Sequence, residues 1–189
     1  TFVGVKESDS LDFVQEALLN GIRQVVSDAS EGASDDEIQS EARQLAHRLG
    51  YAIGVSYPDA DLAAINPANL KDELFWAWRR FLGAWSAKKP LVFVVEDVHW
   101  ADPVVLDLLQ SVARGLEGAS IQFLCLSRPE LLDEQVDWTS APNSTVVRMD
   151  PLGVDQSIEL IDNLLTPNLL SRSWKERLAN SAGGVPFFI

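Results

Sequence analysis

Sulfur is scarce in this sequence. Its 189 residues include one cysteine, Cys125, and one methionine, Met149. A single thiol excludes an internal disulfide framework and a cysteine-based zinc site, and it fits a reducing compartment. Basic residues are also few: 15 Lys+Arg stand against 28 Asp+Glu, for a net charge of -13. A chain of that sign repels phosphate backbones, so no direct nucleic-acid partner is expected for this segment. No apolar run approaches the ~18 to 20 residues that span a bilayer, and no signal peptide opens the chain. The expectation is a cytoplasmic segment with no membrane partner. No internal repeat or low-complexity stretch interrupts it.

What is present suits a packed domain. Apolar residues make up 47% and charged residues 23% of the chain, and at this length roughly 70% of the unfolded surface can be buried. The sequence starts at Thr1, has no initiator methionine, and closes on Val185-Pro186-Phe187-Phe188-Ile189 without a polar tail. It reads as an excised or incomplete piece of a longer protein.

Thr1 to Lys6 alternates and is β-branched, which predicts a short strand. Leu11, Val14, Ala17, Leu18, Gly21, Ile22 and Val25 recur at helical spacing behind Asp9 or Ser10 as N-cap. A polar loop over 27–36 follows. Asp35 is then expected to cap a second helix with Ile38, Ala42, Leu45, Ala46 and Leu49 on its apolar stripe, stopped by Gly50. Tyr51 to Asn69 carries Pro58 and Pro67 and reads as loop with room for one short helix. Asn69 is expected to cap a third helix carrying Leu74, Phe75, Trp78, Phe81, Leu82 and Trp85, ended by Lys88-Lys89-Pro90.

From residue 91 the pattern changes. Leu91-Val92-Phe93-Val94-Val95 and Ile121-Gln122-Phe123-Leu124-Cys125-Leu126 are continuous apolar runs, which predict strands buried on both faces. Thr145-Val146-Val147-Arg148-Met149 predicts a third strand. Between the first two, Asp102-Pro103 is an N-cap followed by proline at the first helical position, opening a helix that runs to Gly115. Helices are also predicted at 154–165 and 172–182. The order strand, helix, strand, loop, strand belongs to a parallel sheet with crossover helices, an α/β fold.

Ligands of open parallel sheets bind beyond the carboxyl ends of the strands. The first strand ends in Glu96-Asp97, two carboxylates of the kind a Mg-nucleotide site needs: one for the hard cation, one to orient or deprotonate a water. The second ends in Ser127-Arg128-Pro129, where Pro129 biases Arg128 towards an extended backbone and a guanidinium could read a terminal phosphate. Each feature also has an ordinary reading, as loop acids, a surface arginine, and His99 and Trp100 packed beneath the following helix. Spacing alone does not identify the ligand.

The stretch Pro90 to Pro103, with its Val95-Glu96-Asp97-Val98-His99-Trp100-Ala101-Asp102, resembles the Walker B segment of STAND-type P-loop ATPase modules. These AAA-like modules occur in bacterial LuxR-type regulators and in multidomain nucleotide cyclases and kinases. Phe123 to Leu131 is similar to that family's strand with a sensor arginine. Met149-Asp150-Pro151-Leu152 resembles the lead-in to its helical lid, and Gly183-Gly184-Val185-Pro186 its Gly-x-Pro motif. The match covers about Lys89 to Ile189. It implies a partial P-loop NTPase-like core over 1–150, with a helical insertion at 8–88 and the start of a helical lid subdomain over 151–189. The resemblance further implies ATP and Mg2+ as ligands, and other domains of the same protein as partners. Glu96 would take the metal-side position and Asp97 the water-activating one, so both are catalytic and metal candidates, although the family more often has Asp first. Arg128 would sense the γ-phosphate, and Pro186 would border the base. The strand feeding the phosphate loop would lie between the two buried strands; without it, they would stand apart or close on each other.

One family feature is missing. No Gly-x-x-x-x-Gly-Lys-Ser/Thr loop occurs, and none of Lys6, Lys71, Lys88, Lys89 and Lys175 follows a glycine. Either the piece starts downstream of that loop, or it is a degenerate relative that no longer binds nucleotide. The expected function is an ATP-binding and hydrolysing switch module of a larger signal-transduction or transcription-regulatory protein. The alternatives are a non-catalytic scaffold of the same fold, to which Trp76, Trp78 and Trp85 would offer a contact patch, and an unrelated acidic α/β binding domain.

Overall fold

Apolar residues three and four apart build the first helices of the structure, a computed structural model that describes residues 6, 8–58, 67–116, 118–134, 143–165 and 169–189. The chain divides into two compact units, Thr1–Trp138 and Thr139–Ile189. In the first, α1 (Leu11–Ala29) starts behind Ser10, whose hydroxyl accepts from Phe13 N. Leu18, Ile22, Val25 and Val26 are its buried stripe. The cap of α2 (Asp35–Ala52) is Ser34 rather than Asp35. Ser34 Oγ accepts from Glu37 N at 3.3 Å while Glu37 Oε2 accepts from Ser34 N at 2.8 Å, a reciprocal pair that satisfies two orphan donors where Asp35 would satisfy one.

Gly50 does not stop α2, which runs on to Ala52. Its bare Cα instead admits the returning chain: a Cβ there would lie 2.7 Å from Val55 O and 2.8 Å from the Tyr57 ring. Helix α3 (Pro67–Ser86) begins two residues before the expected Asn69 cap, because a proline suits the first helical turn, where its missing N–H has no helical partner to lose. Phe75, Ala77, Phe81, Leu82 and Ala84 of α3 are buried. With the stripes of α1 and α2 most of them form the main core. Trp78 and Trp85 pack against it, and Trp76 stays exposed beneath the Arg48 guanidinium, 5.4 Å from its ring centroid.

Strands β1 (Leu91–Val95) and β2 (Ile121–Cys125) pair directly and in parallel, with Leu91 opposite Ile121 and Val95 opposite Cys125. Of the two arrangements foreseen, they have closed on each other. Helix α4 (Pro103–Gly115) makes the crossover, capped by Asp102, which accepts from Val104 N at 2.8 Å, with Pro103 at the first position as expected. A short α5 (Glu130–Glu134) follows.

The strands are not buried on both faces. Phe93, Ile121 and Phe123 pack against the main core, while Val92 and Val94 are 61% and 51% exposed and Leu124 is exposed beside them. Successive strand side chains alternate between faces, and in this sheet only one face is covered. The strand expected over Thr1 to Lys6 lies outside the described residues apart from Lys6.

In the second unit, the strand expected over Thr145 to Met149 does not form. Residues 144–150 have no regular structure, and Val147 and Met149 are exposed. β-branched composition makes a strand only where a neighbouring backbone pairs with it. Helices α6 (Val154–Leu164) and α7 (Arg172–Ala182) lie where the periodicity predicts, burying Ser157, Ile161, Ala179 and Ala182. Gly183 and Gly184 then turn through the left-handed region, and Gly184 O accepts from Leu152 N at 2.8 Å. Among the described residues, no helix is long and apolar enough to cross a membrane.

Candidate functional site

Hydrogen bonding between the two strands continues past their ends. Val95 O accepts from Leu126 N at 2.9 Å, and Leu126 O accepts from Val98 N at 3.0 Å. Glu96 and Asp97 therefore sit in a turn bound on both sides to the backbone after β2. Val98 anchors it: only 1% exposed, it packs with Leu106 of α4 and Leu131 of α5. With Val98 inward, Glu96 and Asp97 are both exposed.

Asp97 adopts φ 51, ψ 35, and among the described residues it is the non-glycine with positive φ. Asp and Asn enter this region more readily than other side chains, at a cost of roughly 1–2 kcal/mol. The reversal starts a single 3-10 turn, Val98–Trp100, in which Trp100 N donates to Asp97 O at 2.9 Å.

Arg128 reaches the same end of the sheet from β2. Its backbone N–H donates to His99 Nδ1 at 3.4 Å, and its guanidinium carbon lies 5.6 Å from the Trp100 ring centroid. For Nδ1 to accept, the imidazole proton must sit on Nε2, which is buried and has no hydrogen-bond partner among the described residues. Trp100 is 73% exposed, so the ordinary reading in which it packs beneath the following helix does not hold for it. Register thus brings Glu96, Asp97 and Arg128 together at the carboxyl end of the parallel pair. Pro186 belongs to the second unit, where it opens the exposed 3-10 turn Pro186–Phe188.

Two functional neighbours are missing from a sequence reading of roles: Val98, which fixes the turn, and Trp100, which faces the arginine. The signal for Val98 is a lone apolar residue between carboxylates and histidine. Trp100 carries no such signal, because only the pairing of the strands brings Arg128 over it.

This arrangement offers two exposed carboxylates and one exposed arginine at the same end of the sheet. Mg2+ is normally held through one or two carboxylates, with waters and phosphate oxygens completing its shell. Glu96 and Asp97 fit that requirement. They do not form a closed cage, and no cluster of three or more His, Cys, Asp or Glu suited to a metal occurs among the described residues. Cys125 is a poor nucleophile here, since burial pushes its thiol pKa up. An open cleft of about 570 Å³ lies elsewhere, between Gln44 and Arg48 of α2 and Asn69, Glu73 and Trp76 of α3. It is crossed by the Arg48–Glu73 ion pair at 2.8 Å and contains none of the strand-end residues.

Comparison with known proteins gives this arrangement a family. Residues 6–125 match the AAA ATPase domain family, a range that includes α1 to α4, both strands and the Glu96-Asp97 turn, and stops short of Arg128 and α5. An uncharacterized protein of Rhizobium meliloti (strain 1021) is 33% identical over 131 residues, which cover 66% of this chain and 12% of that protein. The chain thus spans about an eighth of that relative's length. No solved structure matches. With a parallel pair joined by a crossover helix, paired acids at its carboxyl end, and a family match over most of its length, the chain belongs to the AAA ATPase domain family.

Proposed function

We infer that this domain is the ATP-binding and hydrolysing switch module of a larger signal-transduction or transcription-regulatory protein. The observation that carries the reading is the joining of Glu96, Asp97 and Arg128 at one end of the sheet through the Val95–Leu126–Val98 backbone bonds. In this reading, Glu96-Asp97 is the Walker B pair of a STAND-type module. Glu96 holds the metal side of the site and Asp97 accepts the proton of the attacking water, while the Arg128 guanidinium reads the terminal phosphate. Mg2+, when bound, supplies charge neutralisation to the phosphates. Pro186 is assigned to the border of the base, from the lid subdomain. The length of the Rhizobium relative supports a place within a larger protein, and other domains of that protein are the partners proposed.

A second reading has an observation in its favour. The 189 residues hold no Gly-x-x-x-x-Gly-Lys-Ser/Thr, the loop whose backbone N–H groups and lysine supply most phosphate contacts in P-loop enzymes. A scaffold that has lost nucleotide binding would share every other feature. Calorimetric titration with Mg-ATP separates the two when run on the 189-residue chain and on a longer protein carrying about fifty further upstream residues, the span in which such a loop would lie. We expect weak or no binding by the 189 residues, whose charge of -13 repels a triphosphate, and micromolar binding with turnover by the longer one. In the longer protein, Asp97→Asn should keep binding and slow hydrolysis, and Glu96→Gln should weaken Mg-dependent binding more. Failure of the longer protein to bind would favour the scaffold. Micromolar binding by the 189 residues would place the phosphate site elsewhere.

A further inference from the structure

We propose that Trp100 is a positioning residue for Arg128, holding its guanidinium over the indole ring so that its N–H donors stay free for a phosphate. The inference rests on the nucleotide reading given above and adds to it a residue with no role there.

The acidity of the site is a hazard to its arginine. Arg128 stands at the same sheet end as Glu96 and Asp97, in a chain with a net charge of -13. A guanidinium taken bidentately by a carboxylate loses the donors with which it would read an anion. Yet no ion pair joins Arg128 to a carboxylate among the described residues, whereas Arg23, Arg48, Arg80 and Arg172 each have one. The guanidinium carbon lies instead 5.6 Å from the Trp100 ring centroid.

Cation–π contact places the guanidinium over the face of the indole without consuming an N–H donor in a hydrogen bond, and its five donors lie in the guanidinium plane. An arginine held over the ring is therefore positioned without being consumed. The backbone makes the same point. His99 Nδ1 accepts from Arg128 N, and Leu126 is bonded to both Val95 and Val98, so the chain is fixed on either side of the contact. Trp100 is 73% exposed while its neighbour Val98 fills the pocket beneath, and besides the guanidinium its ring meets the His99 imidazole, tilted at 5.2 Å between centroids.

Two measurements test the proposal. In the 189-residue chain, NMR should show Arg128 side-chain resonances shifted upfield by the ring current of Trp100. The shift should vanish in Trp100→Leu and persist in Trp100→Tyr. In the whole protein, the ratio of Mg-ATP to Mg-ADP affinity should fall about two- to five-fold in Trp100→Leu, as expected for loss of an exposed cation–π contact. ADP affinity should be unchanged and Trp100→Tyr should restore the ratio. Adding Trp100→Leu to Arg128→Ala should cost nothing more, because the indole acts only through the arginine. If Arg128→Ala lowers the ratio and Trp100→Leu does not, the positioning role is wrong and the nucleotide reading stands. If Arg128→Ala leaves the ratio unchanged, the reading of Arg128 itself fails, and the role of Trp100 with it. Absence of the ring-current shift overturns the proposal without reference to any nucleotide.

Discussion

Asp97 shows how one residue serves backbone and chemistry together. Its left-handed conformation lets the chain reverse after β1, so Val98 can turn inward while two carboxylates remain outside. The two demands can be separated by substitution. Asp97→Asn should unfold within about 0.5 kcal/mol of the parent, since Asn tolerates this region at least as well as Asp. Asp97→Val should lose roughly 1–2 kcal/mol or more, because a β-branched side chain is strained at φ 51. Urea unfolding of the two variants decides the matter, and equal losses would mean the turn does not depend on that conformation. The paired acids themselves are legible in the sequence as residues following an apolar run. Their turn is not, because nothing local announces a left-handed aspartate.

At the level of the element, local chemistry explains most helix boundaries and tertiary contact explains the rest. Ser34 and Glu37 start α2 by bonding to each other's backbone. Those bonds hold the exposed Glu37 carboxyl below the usual glutamate range, the backbone bond contributing most. A carboxyl with a lowered folded pKa adds stability above its unfolded value and loses it as pH falls through the folded one. Glu37→Gln should therefore be less stable than the parent at pH 7 and indistinguishable from it well below the glutamate range. Thermal melts at the two pH values would show this, and a difference that persists in acid would rule out the charge as its source.

Gly50 is the opposite case. From the sequence it reads as a helix stop, but its role depends on Val55 and Tyr57 returning against α2, with Val55 N donating to Gly50 O at 2.8 Å. Gly50→Ala should cost about 1–3 kcal/mol through overpacking against a backbone oxygen, even though alanine favours helix. A stabilised variant in denaturant titration would show that the return is loose. Thr145 to Met149 teaches the same lesson for strands: five residues of strand-like composition remain irregular, and among the described residues no strand pairs with them.

Across the whole molecule, burial is uneven. In the first unit three helices make most of a core that covers one face of a two-stranded sheet, and Val92, Val94 and Leu124 look outward. Threonine at Val94 and Leu124 should therefore cost little stability, within about 1 kcal/mol, and should reduce binding of a hydrophobic dye. Fluorescence titration and a thermal melt on the double variant would check both, and a loss above that figure would mean the face is covered in solution.

What the sequence determined by itself is what depends on near neighbours. Helical spacing placed α1, α6 and α7, Asp102-Pro103 started α4, and two apolar runs became β1 and β2, because side-chain periodicity and capping act over a few residues. The tertiary structure decided everything that needs two distant segments at once. It chose which sheet face is covered, denied a strand to residues 144–150, and brought Arg128 over Trp100, 28 positions earlier in the chain. That contact exists because parallel pairing sets Val95 opposite Cys125 and so aligns the two strand ends, a register fixed by backbone bonds between strands and by no property of either strand alone.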